Sequence, residues 1–292
     1  SSSASDVGSV QSTPDSAARY VEIAERLVSL PSVPFSVAVP EGAVALDDHW
    51  RRLSNRVRVS QTAAPSGYGD PQGLLSLREA IADYLRKSRA VRCGPENIVV
   101  TEGTQQGIYL AAKVLLSPGD VAWAEDPAYP GLTSVLEERG IEVRRIAVDN
   151  QGFNVASALE TYPAAKAAFV TPSHQYPMGM PLSMPRRLAL IEWARKSDGW
   201  IIEDDYDSEL RYAGQPFPAM QGLESSRVVY LGTFSKVLAP SLRLGYIVAP
   251  DCLVKAFVGA RALMGRGSPL TEQHVIAAYM KEGYFETHIR RI

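Results

Sequence analysis

From Asn97 onward the chain alternates short apolar runs with longer amphipathic stretches, and this alternation limits the possible folds more than any other feature. Residues 98–101, 121–125, 142–147, 167–171, 200–203, 228–231 and 245–248 have strand length, and most are apolar. Helical patterns start between them near Thr104, Gly131, Val155 and Pro185. Short apolar strands alternating with helices predict an α/β fold, with a mainly parallel seven-stranded sheet covered by helices on both faces. Two further helical patterns, 254–264 and 271–291, follow the sheet, and no internal repeat interrupts the order.

The N-terminal third is organised differently. Residues 1–18 are rich in Ser, Ala, Asp and Pro and read as a linker or tail. Residues 20–30 carry Val21, Ile23, Leu27 and Leu30 at spacings that suit a short helix. Pro31, Pro34 and Pro40 then predict extended segments. A second helix is expected over 46–59, a turn-rich stretch over 61–73, and a strong helix over 74–88. The chain thus divides into a linker with a short helix (1–30), an extended and helical segment (31–65), a large domain (66–265) and the start of a C-terminal helical segment (266–292). It does not begin with Met, and it ends inside an amphipathic pattern, which is expected of a piece of a longer protein.

Composition narrows the function classes. With 292 residues, 46% apolar and 21% charged, the chain can bury a full-sized core and is neither collagenous, coiled-coil nor wholly disordered. A formal charge of -2 does not suit a broad nucleic-acid surface. No apolar run reaches the ~18 residues of a membrane span, and no basic-then-apolar leader opens the chain. Cys93 and Cys252 offer neither a disulfide framework nor a metal spacing, and they read as reduced thiols of a cytoplasmic protein.

In such a sheet, ligands bind beyond the carboxyl ends of the strands. Four strand-to-helix junctions therefore matter. At Thr101-Glu102-Gly103-Thr104-Gln105 a strand ends, Gly103 permits close approach, and Thr104 can cap the next helix. Free amides and the helix dipole there suit a phosphate, although a capped turn without ligand reads equally well. Tyr129, just past the second strand, offers an aromatic face to a flat ring, or else it is a packed turn residue. The strand at 200–203 runs into Glu203-Asp204-Asp205-Tyr206-Asp207, where one carboxylate can pair with a protonated ring nitrogen. A solvated acidic loop is the plain alternative. Finally, Lys236 follows the strand at 228–231, flanked by Thr233 and Ser235 and followed by Arg243. A partly desolvated lysine near another cation is an amine nucleophile able to form a Schiff base, and the hydroxyls with Arg243 can hold a phosphate. The plain alternative is a surface lysine. Together, an amine, a ring-nitrogen acid, an aromatic lid and a phosphate cradle are the parts that pyridoxal phosphate requires.

Several longer motifs carry a resemblance. They are Ser66-Gly67-Tyr68-Gly69-Asp70-Pro71-Gln72-Gly73, Ser173-His174-Gln175-Tyr176-Pro177-Met178-Gly179, Glu203-Asp204-Asp205-Tyr206-Asp207-Ser208-Glu209 and Gly232-Thr233-Phe234-Ser235-Lys236. From about residue 66 to its end the chain resembles the fold-type I pyridoxal-phosphate family, class I/II aminotransferases. Within it the chain looks most like the MocR subgroup of GntR-type transcriptional regulators, which join a winged helix-turn-helix domain to an aminotransferase-like domain. The resemblance implies Lys236 as the Schiff-base lysine, Asp204 on the pyridine nitrogen, Tyr206 at the phenolic oxygen and Tyr129 stacked on the ring. It implies Gly103, Thr104, Gln105, Thr233, Ser235 and Arg243 around the phosphate. Tyr68 would reach the partner's phosphate in a homodimer. Aminotransferases usually carry Asn-Pro-x-Gly where this chain has Tyr176-Pro177-Met178-Gly179, so His174 or Gln175 would take part of that asparagine's role. The family's C-terminal small domain and its winged helix are not expected within these residues.

Three functions follow as expectations. The first is a regulatory and dimerisation domain that responds to pyridoxal phosphate itself, or to a small amine or amino acid, with DNA bound through a domain outside this chain. The second is a free-standing aminotransferase. The third, a fold that has lost its cofactor, conflicts with the retained Lys236, Asp204 and Tyr129. Tyr176 and the linker favour the first.

Overall fold

The computed structural model describes residues 14–26, 47–60, 67–210 and 217–291. The expected tail up to residue 13, the extended segments at Pro31, Pro34 and Pro40, and the turn-rich residues 61–66 lie outside the described residues.

Seven expected strands form where the apolar runs predict them: β1 (Ile98–Thr101), β2 (Val121–Asp126), β3 (Glu142–Asp149), β5 (Ala167–Val170), β6 (Trp200–Asp205), β7 (Val228–Thr233) and β8 (Gly245–Val248). A two-residue strand not anticipated from sequence, β4 (Gly152–Phe153), turns back on β3, so the sheet has eight strands. Their order is β1-β8-β7-β6-β5-β2-β3-β4. The run β7-β6-β5-β2-β3 is parallel, whereas β8 is antiparallel to both its neighbours and β4 to β3. The strand order reverses between β5 and β2, and the crevice at such a reversal is where ligands bind in doubly wound sheets.

Successive residues of each strand face opposite layers. Val99, Ile202, Val229 and Leu231 pack in one core with α4 (Thr104–Leu115), α5 (Pro130–Glu138) and α9 (Val254–Gly265). Their neighbours Ile98, Val100, Tyr230 and Val248 pack on the other face with α2 (Asp48–Arg58), α3 (Leu75–Arg89) and α10 (Leu270–Lys281). Further along that second face, α6 (Val155–Thr161) and α7 (Met184–Ser197) cover Trp123, which is fully buried against Trp193 with ring centroids 4.3 Å apart.

Three expectations shift. The first helix, α1, spans Asp15–Arg26 rather than 20–30; it begins just past Pro14, whose carbonyl accepts the Ala17 N–H, and 27–30 lie outside the described residues. A one-turn helix, α8 (Met220–Leu223), was not legible in the sequence. The last helical pattern is two helices, α10 and α11 (Tyr284–Ile289), because Gly283 at φ 79° ends the first in the left-handed conformation that favours glycine. Among the described residues no helix is long and apolar enough to cross a membrane.

Candidate functional site

The reversal between β2 and β5 is bridged by side chains. Glu125, at the end of β2, accepts from the Thr171 N–H at 3.2 Å, from the Thr171 hydroxyl, and from Gln175 Nε2 at 3.2 Å. Burial pushes this carboxyl up to about 7. Gln175 is almost fully buried, and its amide also donates to the carbonyls of Pro127 (2.8 Å) and Tyr176 (2.7 Å). Its side chain thus braces the two loops that leave β2 and β5 and has little donor capacity left for a ligand. The expected role near a phenolic oxygen therefore does not suit Gln175.

The acidic run after β6 is sorted by strand alternation and by partners. Glu203 points to the α8 side and accepts from the Met220 and Gln221 N–H groups at 2.9 and 3.0 Å. Asp205, on the same face, pairs with Arg89 at 2.9 Å. Asp207 pairs with His174 at 2.9 Å, and that carboxylate holds the imidazolium above the usual histidine range. Asp204 points the other way, into a cavity lined by Glu125, Ala128, Tyr129, Thr171 and Tyr176. Part of the residue reaches the surface, but its Oδ1 is shut off from water and has no hydrogen-bond partner. Burial, followed by the nearby Asp205, Asp207 and Glu125, pushes the Asp204 carboxyl up to about 7. A buried oxygen of this kind is costly unless a ligand supplies a donor.

Lys236 lies half-buried just past β7. Burial pushes its ammonium down, Asp207 and Asp204 draw it back up, and Arg243 adds to the lowering. Arg243 sits at φ 47°, a conformation a non-glycine residue adopts only under constraint, and its Nη2 donates to the Glu102 carbonyl at 3.1 Å. Its guanidinium lies across Gly103, where an added Cβ would come within 3.4 Å of Nη2. Gly103 at φ 88° thus lets the loop after β1 approach the loop after β7. Gly103, not Thr104, occupies the cap position of α4, and no side chain caps its first turn, so the leading amides remain directed outward. The Thr233 hydroxyl accepts from the Ser235 N–H at 3.1 Å and lies 3.4 Å from the Leu244 carbonyl, so it shapes the turn that presents Lys236. Gln105 donates to the Gly131 carbonyl at 3.2 Å, and its Oε1 is buried without a partner.

Tyr129 and Tyr176 edge the cavity, and Tyr206 stands beside Tyr176. Tyr176 stands edge-on to Tyr129 (5.9 Å) and to Tyr206 (6.1 Å), and burial pushes the Tyr206 phenol up. Gly131 makes room for Tyr129, since a Cβ there would lie 2.3 Å from the ring. Tyr68 is elsewhere: it is 84% exposed, with the Arg266 guanidinium over its ring at 4.6 Å. The sequence reading missed Glu125 and Thr171 as lining residues and did not assign Arg89. A carboxylate ending an apolar strand was the available signal for Glu125, whereas nothing local marks Arg89.

The arrangement fits a flat, phosphorylated pyridine carrying an aldehyde. An orphaned carboxylate oxygen suits its protonated nitrogen, a lysine its carbonyl carbon, and uncapped amides beside Arg243 its phosphate. Among the described residues no three His, Cys, Asp or Glu side chains gather to hold a metal ion.

Residues 38–290 match the family model "Aminotransferase class I and II". The chain is 40% identical over 271 residues to the probable rhizopine catabolism regulatory protein MocR of Rhizobium meliloti, covering 92% of this chain and 53% of that protein. It is 36% identical over 267 residues to the HTH-type pyridoxine biosynthesis transcriptional regulator PdxR of Corynebacterium glutamicum, covering 91% and 57%. It therefore spans little more than half the length of these relatives. Among solved structures, Pyrococcus horikoshii kynurenine aminotransferase in complex with PMP superposes with a TM-score of 0.83 at 27% identity, covering 93% of this chain and 69% of that one. With the sheet order, the switch-point site and these matches in agreement, the chain belongs to the class I and II aminotransferase family, whose cofactor is pyridoxal phosphate.

Proposed function

We propose that the chain is the pyridoxal-phosphate-binding, aminotransferase-like domain of a MocR-type transcriptional regulator, with Lys236 as the attachment lysine. The observation that carries the cofactor reading is the buried, partnerless Oδ1 of Asp204, set among Tyr129, Tyr176 and Glu125. Pyridoxal phosphate, when bound, supplies a carbonyl carbon for amines and a ring that draws electrons from them. The residues do the rest. Asp204 holds a proton on the ring nitrogen. Lys236, its ammonium pushed down by burial, presents a neutral amine more readily than an exposed lysine. Arg243, Ser235 and the amides of Thr104 and Gln105 hold the phosphate, and Tyr129 covers the ring.

The regulatory reading is supported by the two regulators that match over nine-tenths of this chain. It is also supported by Tyr176, which stands where aminotransferases usually carry an asparagine, beside Gln175, whose amide is spent on main-chain carbonyls and Glu125. In this reading the domain dimerises, Tyr68 reaches the partner's phosphate, and an amine or amino acid, or the cofactor itself, acts as effector. DNA is contacted by another domain of the protein. The second reading, an amino-acid aminotransferase, is favoured by the close superposition on one.

The test uses the intact protein with pyridoxal phosphate, borohydride reduction and peptide mass spectrometry. The expected result is a reduced adduct on Lys236, and an adduct on another lysine, or none, overturns the site. Mobility shift of the DNA upstream of its own gene, with and without cofactor, then separates the two readings. Cofactor-dependent DNA binding without turnover of amino acids supports the regulator, and turnover without DNA binding overturns it.

A further inference from the structure

Arg89 ends α3 on the face of the sheet opposite Asp204, and both it and Asp205 are buried, their side chains 4% and 0% exposed. Its guanidinium gathers three separate segments. Nε donates to Asp205 Oδ2 at 2.9 Å, Nη2 to the Ser173 hydroxyl at 2.7 Å, and Nη1 reaches the Phe217 carbonyl at 3.4 Å. The same Asp205 oxygen also accepts from Tyr230 at 2.6 Å and Ser208 at 2.8 Å. Asp205 directly follows Asp204, and Ser173 directly precedes His174, which pairs with Asp207. One buried cation therefore holds both flanks of the acidic loop.

From this we infer that Arg89 is a positioning residue: acting through Asp205 and Ser173, it sets the direction and the electrostatic surroundings of Asp204 toward the cofactor nitrogen. The inference rests on the cofactor reading proposed above.

The physical reason lies in charge balance. Asp204 faces Glu125 from β2, Asp205 and Asp207 from its own segment, and Lys236 from the loop after β7. On the opposite face, Asp205 acts on Arg89 from α3, Arg187 from α7, Tyr230 from β7 and the carboxyls of Glu203 and Glu209. Asp205, one residue from Asp204, repels it, and an always-charged, forked guanidinium paired with Asp205 offsets part of that repulsion while fixing the strand end. Lysine would carry the charge but could not bridge the three segments.

The test follows the visible absorbance of pyridoxal phosphate bound to the intact protein as a function of pH, together with cofactor affinity by titration. Arg89→Met leaves Asp205 uncompensated and is expected to move the absorbance midpoint upward by about half a unit or more. Asp205→Asn leaves Arg89 uncompensated and is expected to move it downward by a similar amount. The double variant returns it to the wild-type position, and Arg89→Lys keeps the wild-type midpoint while weakening affinity severalfold. A merely structural role moves both single variants the same way, without recovery in the double, and that result overturns the inference, as does an unchanged midpoint in both. Where Arg89→Met does not fold, Asp205→Asn and the double variant carry the same comparison of sign. Wild-type protein that binds no cofactor on Lys236 overturns the cofactor reading itself, whereas normal wild-type binding with indifferent variants overturns this inference alone.

Discussion

Replacing Asp204 by asparagine is expected to strengthen the cofactor-free fold while weakening cofactor binding. In the folded chain burial and three neighbouring carboxyls raise the Asp204 carboxyl from 3.8 to about 7, and its Oδ1 has no partner. In the unfolded chain the group ionises near its ordinary value. Folding at pH 8 then works against a raised carboxyl, at a cost of up to about 4 kcal/mol. At pH 5 the folded group is protonated and only the unfolded one is ionised, and the cost falls to about 1.6 kcal/mol. Below pH 3.8 both states are protonated and the cost vanishes. These figures are ceilings, because water reaches part of the residue. Urea unfolding of the cofactor-free protein should show Asp204→Asn more stable than wild type, with the gain at pH 8 exceeding that at pH 5 by about 2 kcal/mol. With cofactor present the gain shrinks, because a charge-assisted hydrogen bond of about 1.5–3 kcal/mol is lost and the dissociation constant rises tenfold or more. An Asp204→Asn protein that is less stable without cofactor, or whose gain does not depend on pH, refutes the assignment of Asp204 as a carboxylate held ready for a ligand.

Three further outcomes are expected. Tyr68→Phe should weaken cofactor retention about tenfold while leaving stability within ~0.5 kcal/mol. In a mixed dimer, one subunit carries Tyr68→Phe with Lys236 intact and the other carries Lys236→Ala with Tyr68 intact. Normal retention there supports a contact across the interface, and weak retention refutes it. Gly131→Ala places a Cβ 2.3 Å from the Tyr129 ring and 2.4 Å from Gln105 Oε1, so Tyr129 must leave the cavity edge. Titration should show at least severalfold weaker cofactor binding, and unchanged affinity would remove Tyr129 from the site. His174 is held above its ordinary 6.5 by Asp207, so the pair stabilises the fold fully below pH 6.5 and progressively less as pH rises through the raised value. His174→Gln should flatten the stability–pH curve in that window, and an unaltered curve would contradict the pairing.

The sheet was legible because its signal is local. Runs such as Ile98–Thr101 and Val228–Thr233 are buried on both faces, so their composition reports their position, and the helices between them follow their own apolar spacing. The four junctions proposed to face the ligand could be singled out for the same reason, since they stand at strand ends. Residues 203–207 show where that legibility stops. Their sequence offers four equivalent carboxylates, and only packing separates them. Glu203 meets the amides of α8, Asp205 meets an arginine 116 positions away, Asp207 meets His174, and Asp204, whose carboxylate has no hydrogen-bond partner among the described residues, faces the cavity. Gln175 likewise looked available for a ligand until the two loops it braces were placed side by side. Local propensity and hydrophobic period determined which elements form and where their ends lie. Which polar groups are already paired, and which one is left for a ligand, depends on contacts between residues far apart in the chain, and these exist only once the sheet has closed around them.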